Sequence, residues 1–320
     1  MKVVVIGAVK STFEVLQKLI QHQFEVVAVF GQEPKNITSI SGFVNLKDIC
    51  KNHHLNYIPF QQINDPYNID LLKSLHPDII FAVGFSQLVS EEILSIPSLG
   101  CIGFHPTALP KGRGRAPLSW LILNESQGAA TFFLMTTAVD NGPIFIQDFF
   151  EVTDKDTANT VEEKVILSIR SALDRWLPEL KLGNWDPIHQ QEREATYYEK
   201  RTPQDGWINW NNGADDIETL IRATTKPYPG AYTFFKTFKV IVWAARVEEN
   251  IKITGVIGRV LLSKNNELLI QTGKGLIWLE DFEFEDYSGS RTLAFPLKVG
   301  DKFGYNLEFE LFKIKNLLNL

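Results

Sequence analysis

The residues best suited to chemistry lie between positions 101 and 140. The apolar run Cys101-Ile102-Gly103-Phe104 ends at His105, and a loop bounded by Pro106 and Pro117 follows, carrying Lys111, Arg113 and Arg115. A second apolar run leads through Thr136, Thr137, Ala138 and Val139 to Asp140. A histidine at the end of a buried strand is partly desolvated, and a carboxylate arriving from a neighbouring strand can fix its tautomer and favour proton uptake. His105 and Asp140 are therefore read as a proton-transfer pair, with a cationic loop between them.

Such a pair needs a rigid frame. Residues 2–6 are a β-branched run ending at Gly7, and Val15, Leu16, Leu19 and Ile20 then recur at helical spacing. Residues 7–12 lack the upstream glycine of a phosphate loop, so too few amides converge there and a nucleoside triphosphatase is rejected. Residues 24–30, 57–60 and 78–83 read as further strands, with a helix over 46–53 between the first two. This alternation predicts an α/β fold with a doubly wound, mostly parallel, Rossmann-like sheet whose ligands bind beyond the carboxyl ends of the strands. Gly84-Phe85-Ser86-Gln87-Leu88-Val89 leaves one of those ends toward a helix, and a glycine there lets backbone approach a flat ligand.

A helical pattern over 161–182 ends at Gly183, and residues 184–195 form a polar connector. Beyond it, a helix over 217–223 is followed by short alternating strands at 231–235, 239–245, 256–262, 267–271 and 276–282. That texture predicts a smaller antiparallel, OB-like barrel. The expected domains are 1–195 and 196–320.

Composition narrows the function. The chain has 320 residues, a formal net charge of −6 and two cysteines, Cys50 and Cys101. Two cysteines make neither a disulfide framework nor a thiolate metal cluster, and His22, His53, His54, His76 and His189 show no paired ligand spacing, so no metal is expected. Most of the acidic excess precedes residue 200, and a chain without basic bias is a poor partner for nucleic acid. No apolar run has the length of a membrane span and the first residues read as a strand, so a cytoplasmic location without membrane contact is expected. An exposed strand edge in the C-terminal half could serve as the seam of a homodimer.

These residues together resemble the formyltransferases that use 10-formyltetrahydrofolate. The likeness rests on Asp78-Ile79-Ile80, the loop 84–89, Leu99-Gly100-Cys101-Ile102, His105 with Leu109-Pro110, Arg113-Gly114, and Asp140 with Gly142, and it extends over nearly the whole chain. Residues 195–206, Pro227-Tyr228-Pro229-Gly230-Ala231-Tyr232-Thr233 and Gly112-Arg113-Gly114-Arg115-Ala116-Pro117-Leu118 are most similar to the branch that formylates UDP-4-amino-4-deoxy-L-arabinose.

The resemblance implies 10-formyltetrahydrofolate as co-substrate and a nucleotide-linked amino sugar as acceptor, feeding a surface polysaccharide such as lipopolysaccharide. It gives His105 the proton handling and Asp140 its orientation. It also implies a pterin surface made by Gly84, Phe85, Ser86, Gln87, Leu88 and Val89 with Thr137, Ala138 and Val139. Arg113 and Arg115, which with Lys111 lie close in sequence to His105, are candidates for the sugar-nucleotide phosphates, as are Lys200 and Arg201. One position departs from the family: where an asparagine usually donates a hydrogen bond to the formyl oxygen, this chain has Gly103. Losing one such donor costs about 100- to 1000-fold in comparable enzymes. Methionyl-tRNA formylation and a catalytically impaired folate- or sugar-nucleotide-binding homologue are the alternative readings.

Overall fold

The computed structural model describes residues 1–33, 42–84, 87–286, 288–292, 297–304, 311 and 314–315. The chain opens with β1 (Lys2–Gly7), α1 (Lys10–Gln21), β2 (Glu25–Gln32), α2 (Lys47–Asn52), β3 (Tyr57–Phe60), α3 (Pro66–Leu75) and β4 (Ile79–Ala82). The short α4 (Glu91–Leu94) leads to β5 (Gly100–Thr107), followed by β6 (Arg113–Gly114), α5 (Pro117–Leu123), β7 (Gly128–Leu134) and β8 (Ile144–Phe150). Then come the long α6 (Ala158–Lys181), β9 (Tyr197–Tyr198), α7 (Ala214–Thr224) and β10 (Ala231–Phe235). The remaining strands are β11 (Phe238–Glu248), β12 (Val260–Lys264), β13 (Glu267–Gln271), β14 (Leu276–Glu285) and β15 (Arg291–Thr292).

The chain divides into two compact units, one of Met1–Thr153 with Thr160–Lys200, the other of Asp154–Asn159 with Arg201–Leu320. In the first unit a seven-stranded sheet runs β3-β2-β1-β4-β5-β7-β8. The pairs from β3 to β5 are parallel, and β7 and β8 are added antiparallel. Burial on both faces explains the near-continuous apolar strands. Val3 and Val5 of β1 face one core with Leu16 and Leu19 of α1 and Leu173 and Trp176 of α6. Val4 and Ile6 face the other, with Leu72 of α3 and Ile93 of α4. The same alternation places Ile102 of β5 on the first face and Cys101 on the second, so by period two Gly103 and His105 lie on the face of Cys101.

The second unit carries an antiparallel sheet ordered β10-β11-β14-β13-β12, with β15 on β14. Ile217 and Ile221 of α7 pack into its core with Val240, Val242 and Ile277. Strands β10 and β12 are not paired with each other among the described residues, so the expected barrel takes the form of an antiparallel sheet.

Three expectations shift at their boundaries. Residues 196–200 stay with the first unit because β9 pairs with β6, Arg113 opposite Tyr197 and Gly114 opposite Tyr198. The strand expected from 256 begins at Val260, since Arg259 donates its amide back to the Val256 carbonyl in a turn. The helix expected after Val89 is only α4, capped by Ser90, whose Oγ accepts from the Ile93 amide.

Candidate active site

His105 sits in β5 opposite Thr131 of β7, near the carboxyl end of the parallel strands, and is 6% exposed. Its Nε2 lies 2.8 Å from the carbonyl oxygen of Gly112. A carbonyl only accepts, so Nε2 carries the hydrogen and the tautomer is assigned from that partner. The other ring nitrogen, Nδ1, faces Oδ2 of Asp140 at 3.6 Å. Nδ1 is thus the ring nitrogen without a hydrogen in the neutral imidazole.

Asp140 is not the end of a strand, as the sequence suggested, but part of the loop between β7 and β8. Its backbone is left-handed, with φ of 49°, and its Oδ2 accepts from the Gly114 amide at 2.9 Å. The loop that supplies Gly112 and Gly114 is itself anchored. Thr107 Oγ1 donates to the Lys111 carbonyl at 2.8 Å, Gln147 Nε2 donates to the Leu109 carbonyl at 3.0 Å, and the Gly112 amide donates to Thr196 Oγ1 at 2.8 Å. Gly114 has φ of 112°, and a Cβ there would meet the Tyr198 carbonyl oxygen at 2.4 Å, so the β6–β9 pairing requires glycine.

Gly103, where the resemblance led to the expectation of a donor, is covered. A Cβ on it would lie 2.7 Å from Phe133 Cζ and 2.9 Å from Met135 Cγ, so two apolar side chains already cover it. Gln87 is committed to a loop: its Nε2 donates to the Gln61 carbonyl at 2.6 Å and its Oε1 accepts from the Ile63 amide at 3.0 Å. Asn141 Oδ1 accepts from Thr136 Oγ1.

The expected pterin surface is described in part, because Phe85 and Ser86 lie outside the described residues. Gly84 follows β4, whose Ala82 pairs with Gly103, so this loop and His105 rise from adjacent strands. Leu88 is exposed and Val89 packs against the core under it. Thr137, Ala138 and Val139 are exposed, and the amides of Thr137 and Val139 have no partner among the described residues.

The cations separate. Arg113 is fully buried, and all of its contacts are internal. Its Nε and one terminal nitrogen donate to Gln190 Oε1 at 3.2 and 2.9 Å, and the guanidinium pairs with Glu192 at 2.9 Å and donates to the Tyr197 hydroxyl at 3.0 Å. The Arg113 contacts hold the Glu192 carboxyl below its usual range. Arg113 is accordingly not placed to hold a diphosphate. Arg115 and Lys200 are exposed, with no side-chain partner among the described residues. Arg201 belongs to the second unit, where it donates to the Asp205 carbonyl at 2.8 Å and burial lowers its pKa.

Sequence reasoning missed Gln190, Glu192 and Thr196. Gln190 and Glu192 lie in the stretch read only as a polar connector, and Thr196 follows it, in a stretch singled out only for its resemblance. The connector is tied down by reciprocal 2.8 Å bonds between Ile144 and Ile188, and by Trp185 against Phe145 at 4.5 Å. No periodicity marks them in the sequence. Among the described residues, no group of three or more His, Cys, Asp or Glu side chains converges as a metal site, and no helix is long and apolar enough to cross a membrane.

The profile of the family described as formyl transferase matches residues 1–175, and that of its C-terminal domain matches residues 200–291. The chain belongs to the formyl transferase family. This formyl transferase is 30% identical over 315 residues to the methionyl-tRNA formyltransferase of Alkaliphilus metalliredigens (strain QYMF), covering 95% of this chain and all of that one. It is 33% identical over 259 residues to the bifunctional polymyxin resistance protein ArnA of Wigglesworthia glossinidia brevipalpis. That match covers 80% of this chain but only 40% of ArnA. In fold it is similar to the N-formyltransferase of Helicobacter canadensis in complex with folinic acid and dTDP-3-aminofucose. The TM-score is 0.67 at 18% identity, covering 88% of this chain and 99% of that one.

Proposed function

We propose that this formyl transferase moves a formyl group from 10-formyltetrahydrofolate to the exocyclic amine of a nucleotide-linked amino sugar, in the cytoplasm and for a surface polysaccharide. The observation that carries the reading is the orientation of His105, with Nε2 held by the Gly112 carbonyl and Nδ1 facing Asp140. In the reaction the sugar amine attacks the formyl carbon, a new C–N bond forms, and the bond from that carbon to N10 of the folate breaks. The amine loses a proton to Nδ1 of His105, beside the Asp140 carboxylate, and N10 takes up a proton as it leaves.

The amino-sugar acceptor is supported by the likeness to ArnA and by the sequence of residues 112–118, 195–206 and 227–233. A net charge of −6 argues in the same direction, because docking of a polynucleotide draws on released counterions. Exposed Arg115 and Lys200 are the side chains of the first unit proposed to meet the sugar-nucleotide phosphates. The backbone of 137–139 and the loop 84–89 are proposed to take the pterin.

A second reading has its own observation. The apolar cover over Gly103 takes the place of a donor to the formyl oxygen, which favours a slow or non-transferring homologue that still binds folate and sugar nucleotide. The test is direct. Purified protein is mixed with 10-formyltetrahydrofolate and, separately, with UDP-, dTDP- and GDP-linked amino sugars and charged initiator tRNA, and product masses are read. One formylated sugar is the expected result, formylated tRNA overturns the acceptor, and binding of folate without any product supports the second reading.

A further inference from the structure

We infer that Gln190, held by Arg113, is a positioning residue that sets Asp140 against His105; the inference rests on the proton-transfer reading of that pair. Gln190 Nε2 donates to the carbonyl oxygens of both Asp140, at 2.8 Å, and Gly142, at 2.7 Å. Its Oε1 accepts two bonds from Arg113. The amide can sit only one way round, because a flip would set Oε1 against two carbonyls and the NH2 against a guanidinium.

The consequence for Asp140 follows from its backbone. A non-glycine residue at φ of 49° occupies a sparsely populated region and persists only where its surroundings over-determine it. Here one NH2 group clamps the carbonyls on either side of Asn141, while the neighbour of Arg113, Gly114, donates its amide to the Asp140 carboxylate. The segment 113–114 therefore holds Asp140 at both ends, directly at the side chain and through Gln190 at the main chain. Arg113 is fixed in turn by Glu192 and Tyr197. The buried arginine serves the geometry of the carboxylate.

The discriminating variant is Gln190→Glu in the full chain. It preserves size and keeps a partner for Arg113, so the fold is retained, but it presents an acceptor to two carbonyls where a donor is required. The expected result is a fall in kcat of about tenfold to a hundredfold, the scale of a catalytic group displaced by about an ångström. KM for folate and sugar should stay within about twofold of the parent. The 15N spectrum of the His105 ring should change as well, because Asp140 no longer sits at a fixed distance from Nδ1. Gln190→Met removes the donor without adding charge and should show the same two changes, with its folding checked by thermal melting. Unchanged kcat and an unchanged His105 spectrum in Gln190→Glu overturn the inference. If the parent protein formylates nothing, the proposed function has failed and the positioning role is decided by the 15N spectrum alone: a changed spectrum upholds it, an unchanged one overturns it.

Discussion

Replacing Gly103 with asparagine tests whether the donor implied by the resemblance to formyltransferases can be accommodated at this position. In β5, Gly103 pairs with Ala82 of β4 on one side and Phe133 of β7 on the other, so its backbone is fixed within the sheet. The first atom of any new side chain would lie 2.7 Å from Phe133 Cζ, 2.9 Å from Met135 Cγ and 3.1 Å from Phe133 Cε1. Phe133 is only 3% exposed, so its ring has nowhere to go without disturbing the core. Overpacking of this kind costs about 1–3 kcal/mol. At about 2–4 °C per kcal/mol for a domain of this size, a lower melting temperature by several degrees is expected. Urea unfolding and formyl transfer are measured on Gly103→Asn and on Gly103→Asn with Phe133→Ala, where the ring is removed to admit the amide. The single variant should be less stable and no faster, and the asparagine should cost less stability when it is added to Phe133→Ala, measured against that variant alone, than when it is added to the parent. A single variant as stable as the parent and faster by the 100-fold or more that one oxyanion donor supplies would refute the steric reasoning.

Asp140→Asn keeps an acceptor for the Gly114 amide while removing the charge, and His105→Gln removes the base. Each should lower kcat by about 100- to 10,000-fold with the fold intact, and near-normal turnover in either would sink the proton-transfer pair. The depressed Glu192 carboxyl, caused first by its hydrogen bond from Arg113, adds stability that is complete above its ordinary value of 4.5 and is lost as pH falls through the lower folded value. Glu192→Gln should therefore flatten the acid limb of a stability-against-pH curve below about pH 4.5, and coincident curves would show that the pair contributes nothing there. Burial pushes the Cys50 thiol up to about 11 and that of Cys101 to about 12. Neither should react with a thiol reagent at pH 8 until the protein is unfolded, and rapid labelling of the native protein would contradict their burial.

The strands that carry the site were legible because their chemistry is local. Residues 2–6, 57–60 and 78–83 are apolar enough to be buried on both faces, and that composition alone points to parallel strands covered by helices. His105 and Asp140 stood out for a related reason: each is a titratable group closing an apolar run. The alternation of short strands after residue 230 likewise marked an antiparallel unit, although not whether its ends pair.

Arg113 shows where that kind of legibility stops. A glycine-rich loop with two arginines has the composition of a phosphate site, and nothing in the local sequence says that one guanidinium turns inward while the other stays in water. Its partners Gln190 and Glu192 are 77 and 79 residues away, and Gln190 reaches Asp140 across 50. Gly103 is similar, since the side chains that cover it come from the next strand of the sheet.

By itself the sequence pointed to the two kinds of sheet and to His105 and Asp140 as the pair worth testing, because strand burial and polar interruption are written in runs of neighbouring residues. Only the tertiary structure decided that Asp140 stands in a loop, that Gln190, itself bonded by Arg113, donates to its carbonyl, and that Phe133 and Met135 cover Gly103. Those outcomes depend on chain segments brought together by the closing of β7 and β9 onto the sheet and loop, and hydrogen bonds or packing between distant segments leave no period in the sequence.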